Sequence, residues 1–98
     1  MATPFSAASL APGPSSYYLL DFSTAQTIPE AITSWDDEWR SAFIQPTDDL
    51  AFRADGTDPT GADGIVIPAD AVWLFENQSD LLQQAIFFGG TARVQLFG

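Results

Sequence analysis

Apolar residues fall in short runs along this chain and are separated by turn-forming residues. The last third holds Ile65-Val66-Ile67, Ala71-Val72-Trp73-Leu74-Phe75, Ala85-Ile86-Phe87-Phe88 and Ala92–Phe97. Each run has strand length and is rich in β-branched and aromatic side chains. Gly89-Gly90-Thr91 joins the last two runs, and adjacent glycines supply the positive φ angles of a tight hairpin, which is predicted here. Beyond it the polarity alternates. Val94 and Leu96 point one way and Arg93, Gln95 and Phe97 the other, as on a sheet with one wet face.

Upstream, Tyr17-Tyr18-Leu19-Leu20-Asp21-Phe22 reads as the first strand. Thr27-Ile28-Pro29-Glu30 has the form of a capping box. Ile28, Ile32, Trp35 and Trp39 follow at spacings of four, three and four. That places them on one helical face and predicts a turn or two of helix within 28–39. The competing reading is a strand over 27–32 followed by a loop. Arg40–Gln45 and Leu50–Arg53 are short strands about the turn Pro46-Thr47-Asp48-Asp49, with Leu50 and Phe52 inward and Ala51 and Arg53 outward. Residues 54–64 form a polar, glycine-rich loop, and Pro68-Ala69-Asp70 is another turn. Leu81–Phe88 opens as a helical turn capped by Ser79 or continues as strand, and its aromatic end favours strand. Residues 1–16 contain Pro4, Pro12 and Pro14, no charge, and two isolated apolar anchors, Phe5 and Leu10. They read as an extended arm, with a reach of roughly 50 Å at ~3.3 Å per residue.

Turn signals recur about every 8–12 residues, the spacing of a sandwich or small barrel. The expected architecture is therefore mainly β: a small antiparallel β-sandwich or barrel over 17–98, an N-terminal arm over 1–16, and one short helix. No internal repeat is present. Ninety-eight residues make one domain with a thin core, and 46% apolar residues suit a globular chain.

Charge narrows the possible partners. Thirteen acids face three arginines and no lysine, a formal charge of −10 at pH 7. Phosphate-directed binding of nucleic acid needs clustered Lys and Arg, and so does an anionic membrane surface. Neither partner is expected. The chain has no cysteine and no histidine. Disulfides, thiolate chemistry, a Ser-His-Asp triad and the commonest zinc ligand are thereby excluded. No secretory leader and no apolar run of bilayer-spanning length is read in it.

Two acidic groups are the candidates for binding chemistry. Asp55, Asp58 and Asp63 lie on glycine-kinked backbone of the kind calcium favours, but their spacing is not that of an EF-hand and the closing glutamate is absent. A solvated loop is the expectation. Asp36-Asp37-Glu38 beside Trp35 and Trp39 has the composition of a sugar site, while indoles at that spacing more commonly make a core contact and its cover. Gly89-Gly90 lacks the lysine and the strand–helix setting of a phosphate loop. No metal, cofactor or catalytic residue is expected, and the chain reads as no enzyme.

From Trp39 onward the order of pieces resembles a group of small bacteriophage virion proteins. The pieces are Trp39-Arg40-Ser41-Ala42-Phe43-Ile44-Gln45, Leu50-Ala51-Phe52, Asp63-Gly64-Ile65-Val66-Ile67-Pro68-Ala69 and Gly89-Gly90-Thr91-Ala92-Arg93-Val94. The resemblance implies a non-enzymatic virion structural protein, foremost a capsid decoration (cement) protein. Such a protein is made in the host cytoplasm and binds the capsid surface as a symmetric homo-oligomer. Its implied partners are the major capsid protein or other virion proteins, and copies of itself. The alternatives are a neck or tail adaptor or fibre-base component, and a carbohydrate-binding module using Trp35, Trp39 or Trp73. Thirteen aromatic residues (eight Phe, three Trp, two Tyr) exceed what a thin core readily holds, so some are expected in interfaces. The candidate interface residues are Phe5, Leu10, Tyr17, Tyr18, Trp35 and Trp39.

The alternation in the last strand makes a direct prediction. Val94→Asp should abolish folding, at about 4 kcal/mol or more, by placing an unpaired charge inside. Arg93→Ala should be tolerated. Thermal melts of the two variants compare them, and equal damage would put the strand out of register.

Overall fold

In a computed structural model, residues 15–32, 35–36, 38–60 and 63–98 are described. The strands are β1 (Ser15–Phe22), β2 (Gln26–Thr27), β3 (Ser41–Pro46), β4 (Leu50–Arg53), β5 (Ile65–Ile67), β6 (Trp73–Phe75), β7 (Ile86–Phe88) and β8 (Gly90–Phe97). Two short helices interrupt them, α1 (Ile28–Ala31) and α2 (Ser79–Gln84). The strands form two antiparallel four-stranded sheets ordered β1-β8-β3-β6 and β2-β7-β4-β5. The fold is mainly β and a sandwich. The first strand starts at Ser15, which pairs with Phe97, two residues before the boundary expected for the arm.

Strand order shows how the sandwich is made. Matching positions in the two sheets are occupied by β1 and β2, β8 and β7, β3 and β4, and β6 and β5. Each pair is consecutive in sequence, so the molecule is four long ribbons, each bent once to leave one sheet for the other. The interleaved order of these ribbons is the jelly-roll arrangement. The four bends lie side by side and hydrogen-bond to one another. Gly89 N–H donates to the Phe22 carbonyl (2.9 Å), Thr47 N–H to the Thr91 carbonyl (3.0 Å), and Asp70 N–H to the Pro46 carbonyl (2.8 Å). Side chains complete the line. Asp49 Oδ1 accepts from Ala69 N–H at 2.9 Å, and the Thr47 and Thr91 hydroxyls lie 2.7 Å apart.

The bends correct the expected hairpin. β7 and β8 belong to different sheets, so Gly89-Gly90 turns a sheet corner. The glycines are still required, because φ is 141° at Gly89 and 118° at Gly90. A Cβ on Gly89 would lie 2.5 Å from the Asp49 carbonyl oxygen, on the neighbouring ribbon. Pro46–Asp49 is likewise a corner between β3 and β4.

The core lies between the sheets. Leu20, Phe22, Ala42, Ile44, Ala92, Val94 and Leu96 enter from one sheet, and Leu50, Phe52, Ile67 and Phe87 from the other. Val94 and Leu96 are fully buried and Arg93 is exposed, in the expected alternation. Phe52 makes ring contacts with Trp73, Phe75 and Phe87 at centroid distances of 5.5–5.9 Å. Ala51 was expected outward, yet it is buried. It stands in register between Val66 and Phe88, and a lone methyl group is shielded by larger flanking side chains without pointing inward.

The connections supply the remaining core. The capping box forms as read, with Thr27 Oγ1 accepting from Glu30 N–H and Glu30 Oε1 from Thr27 N–H. Such a cap stabilises a helix by about 1 kcal/mol. The helix lasts only to Ala31, because Ile32 is extended, with φ −116° and ψ 149°. Ile28, Ile32 and Trp39 are nonetheless buried, with Trp35 packed against them. The helical spacing therefore marked core positions without a helix to carry most of them. In α2, Ser79 is the first helical residue rather than its cap, and Gln78 takes the cap position without a side-chain bond. Leu82 and Ala85 then enter the core before β7 begins.

The bend at Gly89 should be intolerant of any side chain. Gly89→Ala is expected to destabilise the domain by at least ~2 kcal/mol, through positive φ and the clash with Asp49. Gly56→Ala shares the positive φ (83°) but meets nothing within 4 Å, so it should cost less. Denaturant midpoints of the two variants make the comparison.

Candidate interaction face

Among the described residues, β1 contributes one acid, Asp21, and the other seven strands contribute none. Negative charge is thus confined to connections and helices, and the flat sheet surfaces carry little of it. The outer surface of the β1-β8-β3-β6 sheet is the more extended. Its four strands contain one acid, Asp21, and one base, Arg93.

Register lays out this face in rows. Tyr17 stands opposite Gln95, Gln95 opposite Phe43, and Phe43 opposite Leu74. One step along, Leu19 stands opposite Arg93 and Arg93 opposite Gln45. Toward the other end Phe97 packs edge-on against Phe43, with ring centroids 5.5 Å apart. Tyr17, Phe43, Val72 and Phe97 line a shallow depression of about 490 Å³, with Ser15, Gln45, Arg93 and Gln95 as its polar members. Tyr17 in this depression and Leu19 on the same sheet are 58% and 63% exposed. Arg93 makes no ion pair among the described residues. Asp21 accepts from Ser23 N–H at 2.9 Å, and this backbone hydrogen bond holds its carboxyl below the ordinary value.

Of the candidate interface residues among the described positions, only Tyr17 stands out from the surface. Tyr18 faces inward and packs half-buried against the core. Trp35 is also half-buried there, and Trp39 is 5% exposed. Trp39 is therefore a core residue, correcting its place among interface candidates, and its buried indole Nε1 has no hydrogen-bond partner among the described residues. Burial removes the ring face that a sugar would stack on. Trp73 is engaged with Phe52 and Phe75. Phe5 and Leu10 lie outside the described residues. Most aromatics fit within or against the core after all. Leu19, Phe43 and Phe97, which sequence reasoning did not single out, complete the face. Their signal was the period-two alternation, followed outward instead of inward.

The Asp55–Asp63 loop is organised by an arginine. Arg53 Nε donates to Asp55 Oδ1 at 3.1 Å, Arg53 NH2 to Asp55 Oδ2, and Arg53 NH1 to Asp63 Oδ2 at 2.9 Å. A guanidinium fork occupies the space where a cation bound to these carboxylates would need to sit. Among the described residues no three acids come close enough to hold a metal ion. The Arg53 side-chain hydrogen bonds lower the Asp55 pKa, with help from Thr57 N–H, and the pairing raises that of Arg53.

Asp55 should therefore titrate below an ordinary aspartate, and Arg53→Ala should return it towards 3.8. Because the folded pKa is depressed, its small favourable contribution is present above the unfolded value. It is lost as pH falls through the folded one. Carboxyl-detected NMR titration of the wild type and the variant reads both values. Comparison of the chain with family models, with curated proteins and with solved structures finds no match.

Proposed function

We propose that this protein is a non-enzymatic virion structural protein that coats a phage capsid, binding the outside of the shell in many copies. The observation that supports this most is the outer face of the β1-β8-β3-β6 sheet. It is broad, largely uncharged and partly apolar, on a chain whose formal charge is −10. Its apolar side chains, Tyr17, Phe43 and Phe97, flank Gln95 and Arg93 of the central strand, and aromatic and arginine side chains are enriched in specific protein interfaces. The acids of the connections keep a densely repeated subunit soluble and discourage contact through those connections. The jelly-roll order of strands is one that viral capsid domains share with lectins and cupins, so it agrees with the reading without selecting it. The major capsid protein is the proposed partner. A neck, tail or fibre-base location would use the same face, and copy number per virion separates the two.

Gln95 stands in the middle of the face and offers a nearly isosteric test. Gln95→Glu adds one charge there and leaves the fold intact. Mixed with capsids that lack the protein, the wild type should sediment with them, and Gln95→Glu should bind at least tenfold more weakly. A wild type that stays in the supernatant at all concentrations would remove the capsid reading.

A further inference from the structure

Among the described residues, the unpaired sheet edge of greatest length is that of β1. A sheet edge presents unpaired backbone groups, and folded proteins ordinarily blunt it by shortening it, charging it or bending it. Three of the four sheet edges here are shortened. β2 is two residues long, and β5 and β6 are three each. β1 is eight, and it pairs with β8 alone among the described strands. It has no lysine and no proline, and its one charge, Asp21, is at its far end.

The edge can be read residue by residue. The Phe22 carbonyl accepts from Gly89, so it points toward the neighbouring ribbon. Strand residues alternate in this respect, which turns the backbone groups of Tyr17, Leu19 and Asp21 to the open side. The Asp21 carbonyl there is already taken by Gln26 Nε2 at 2.7 Å. Tyr17 and Leu19 remain, and their side chains are the large exposed apolar groups of the same sheet.

We infer that β1 pairs antiparallel with β1 of a second copy, joining two four-stranded sheets into one of eight strands. Charge points to a second copy as the occupant. Two chains of −10 each can approach only where neither presents its acids, and β1 with its sheet is such a place on both. The two-fold register that sets Tyr17 of one copy opposite Leu19 of the other also sets each Asp21 opposite Ser15. No like charges then meet across the pair. Apolar side chains cover the join on the outer face, and the two depressions become one continuous surface. This goes beyond the proposal above by naming how copies of the chain associate.

The chain has no cysteine, so introduced ones are unique. Sedimentation equilibrium of the full chain should show dimer, and Leu19→Lys should weaken association tenfold or more while the chain still melts cooperatively, with the concentration dependence of its melting temperature lost. Ile65→Lys places the same charge on the short edge β5, where Ile65 is 57% exposed, and should leave the dimer intact. Mixing a Tyr17→Cys chain with a Leu19→Cys chain under oxidation should give the mixed disulfide in preference to either like pair, because facing residues lie within disulfide reach. A wild type that is monomeric throughout, a Leu19→Lys chain that associates normally, or like pairs that cross-link as readily as the mixed one would overturn the pairing. Capsid binding is scored separately: dimers that ignore capsids refute the capsid reading and leave this one standing.

Discussion

A strand that passes from one sheet to another must leave its ladder at the bend, and its freed backbone groups need new partners. This fold makes that transition four times and solves it once, by placing the bends in a row. Phe22 with Gly89, Thr47 with Thr91, and Pro46 with Asp70 exchange across the row the hydrogen bonds that the ladders forgo. The close approach that allows this is also why Gly89 has no room for a methyl group beside the Asp49 carbonyl. Sheet order, the depth of the core and the face presented outside all follow from that line. If one bend moved, the register of two ribbons would change with it, and a one-residue slip turns every side chain to the opposite face.

Such a row is invisible to local sequence reading. Gly89-Gly90 announces positive φ, and both a hairpin and a sheet corner require it. What separates them is a carbonyl forty residues away, at Asp49. The helical spacing of Ile28, Ile32, Trp35 and Trp39 misled for a related reason. Burial was legible in it, but apolar periodicity reports which residues are hidden, not the path between them. Ile32 reaches the core in extended conformation just after the helix ends. The features that did read through were those whose cause is local: the Thr27–Glu30 capping box and the alternation of β8. Arg53 holding both Asp55 and Asp63 lies between. The loop's acids were plain in the sequence, but their partner was not distinguishable from an outward-pointing strand residue.

Charge and fold are arranged to different ends here. Strand residues are chosen for burial and pleat, and with one acid among them they contribute almost nothing to the net charge. The connections carry the rest. Such a molecule repels its copies around its rim and at its ends while leaving its sheet faces free to meet a surface, so acidity helps to select the contact as well as to maintain solubility.

The length of β1 has its origin inside the molecule. Tyr18, Leu20 and Phe22 pack on or into the core from alternate positions, and burying a side chain such as Phe22 contributes roughly 1.5–3 kcal/mol. Shortening the strand to protect its edge would remove them from a domain with little core to spare. The outward positions are under no such constraint. A lysine at 17 or 19 would have blunted the edge at no expense to packing, since both sites are more than half exposed. Tyrosine and leucine stand there instead. Length is thus explained by the core, but the identity of the residues facing out is not, and the proposed pairing of that edge would account for them where internal packing does not.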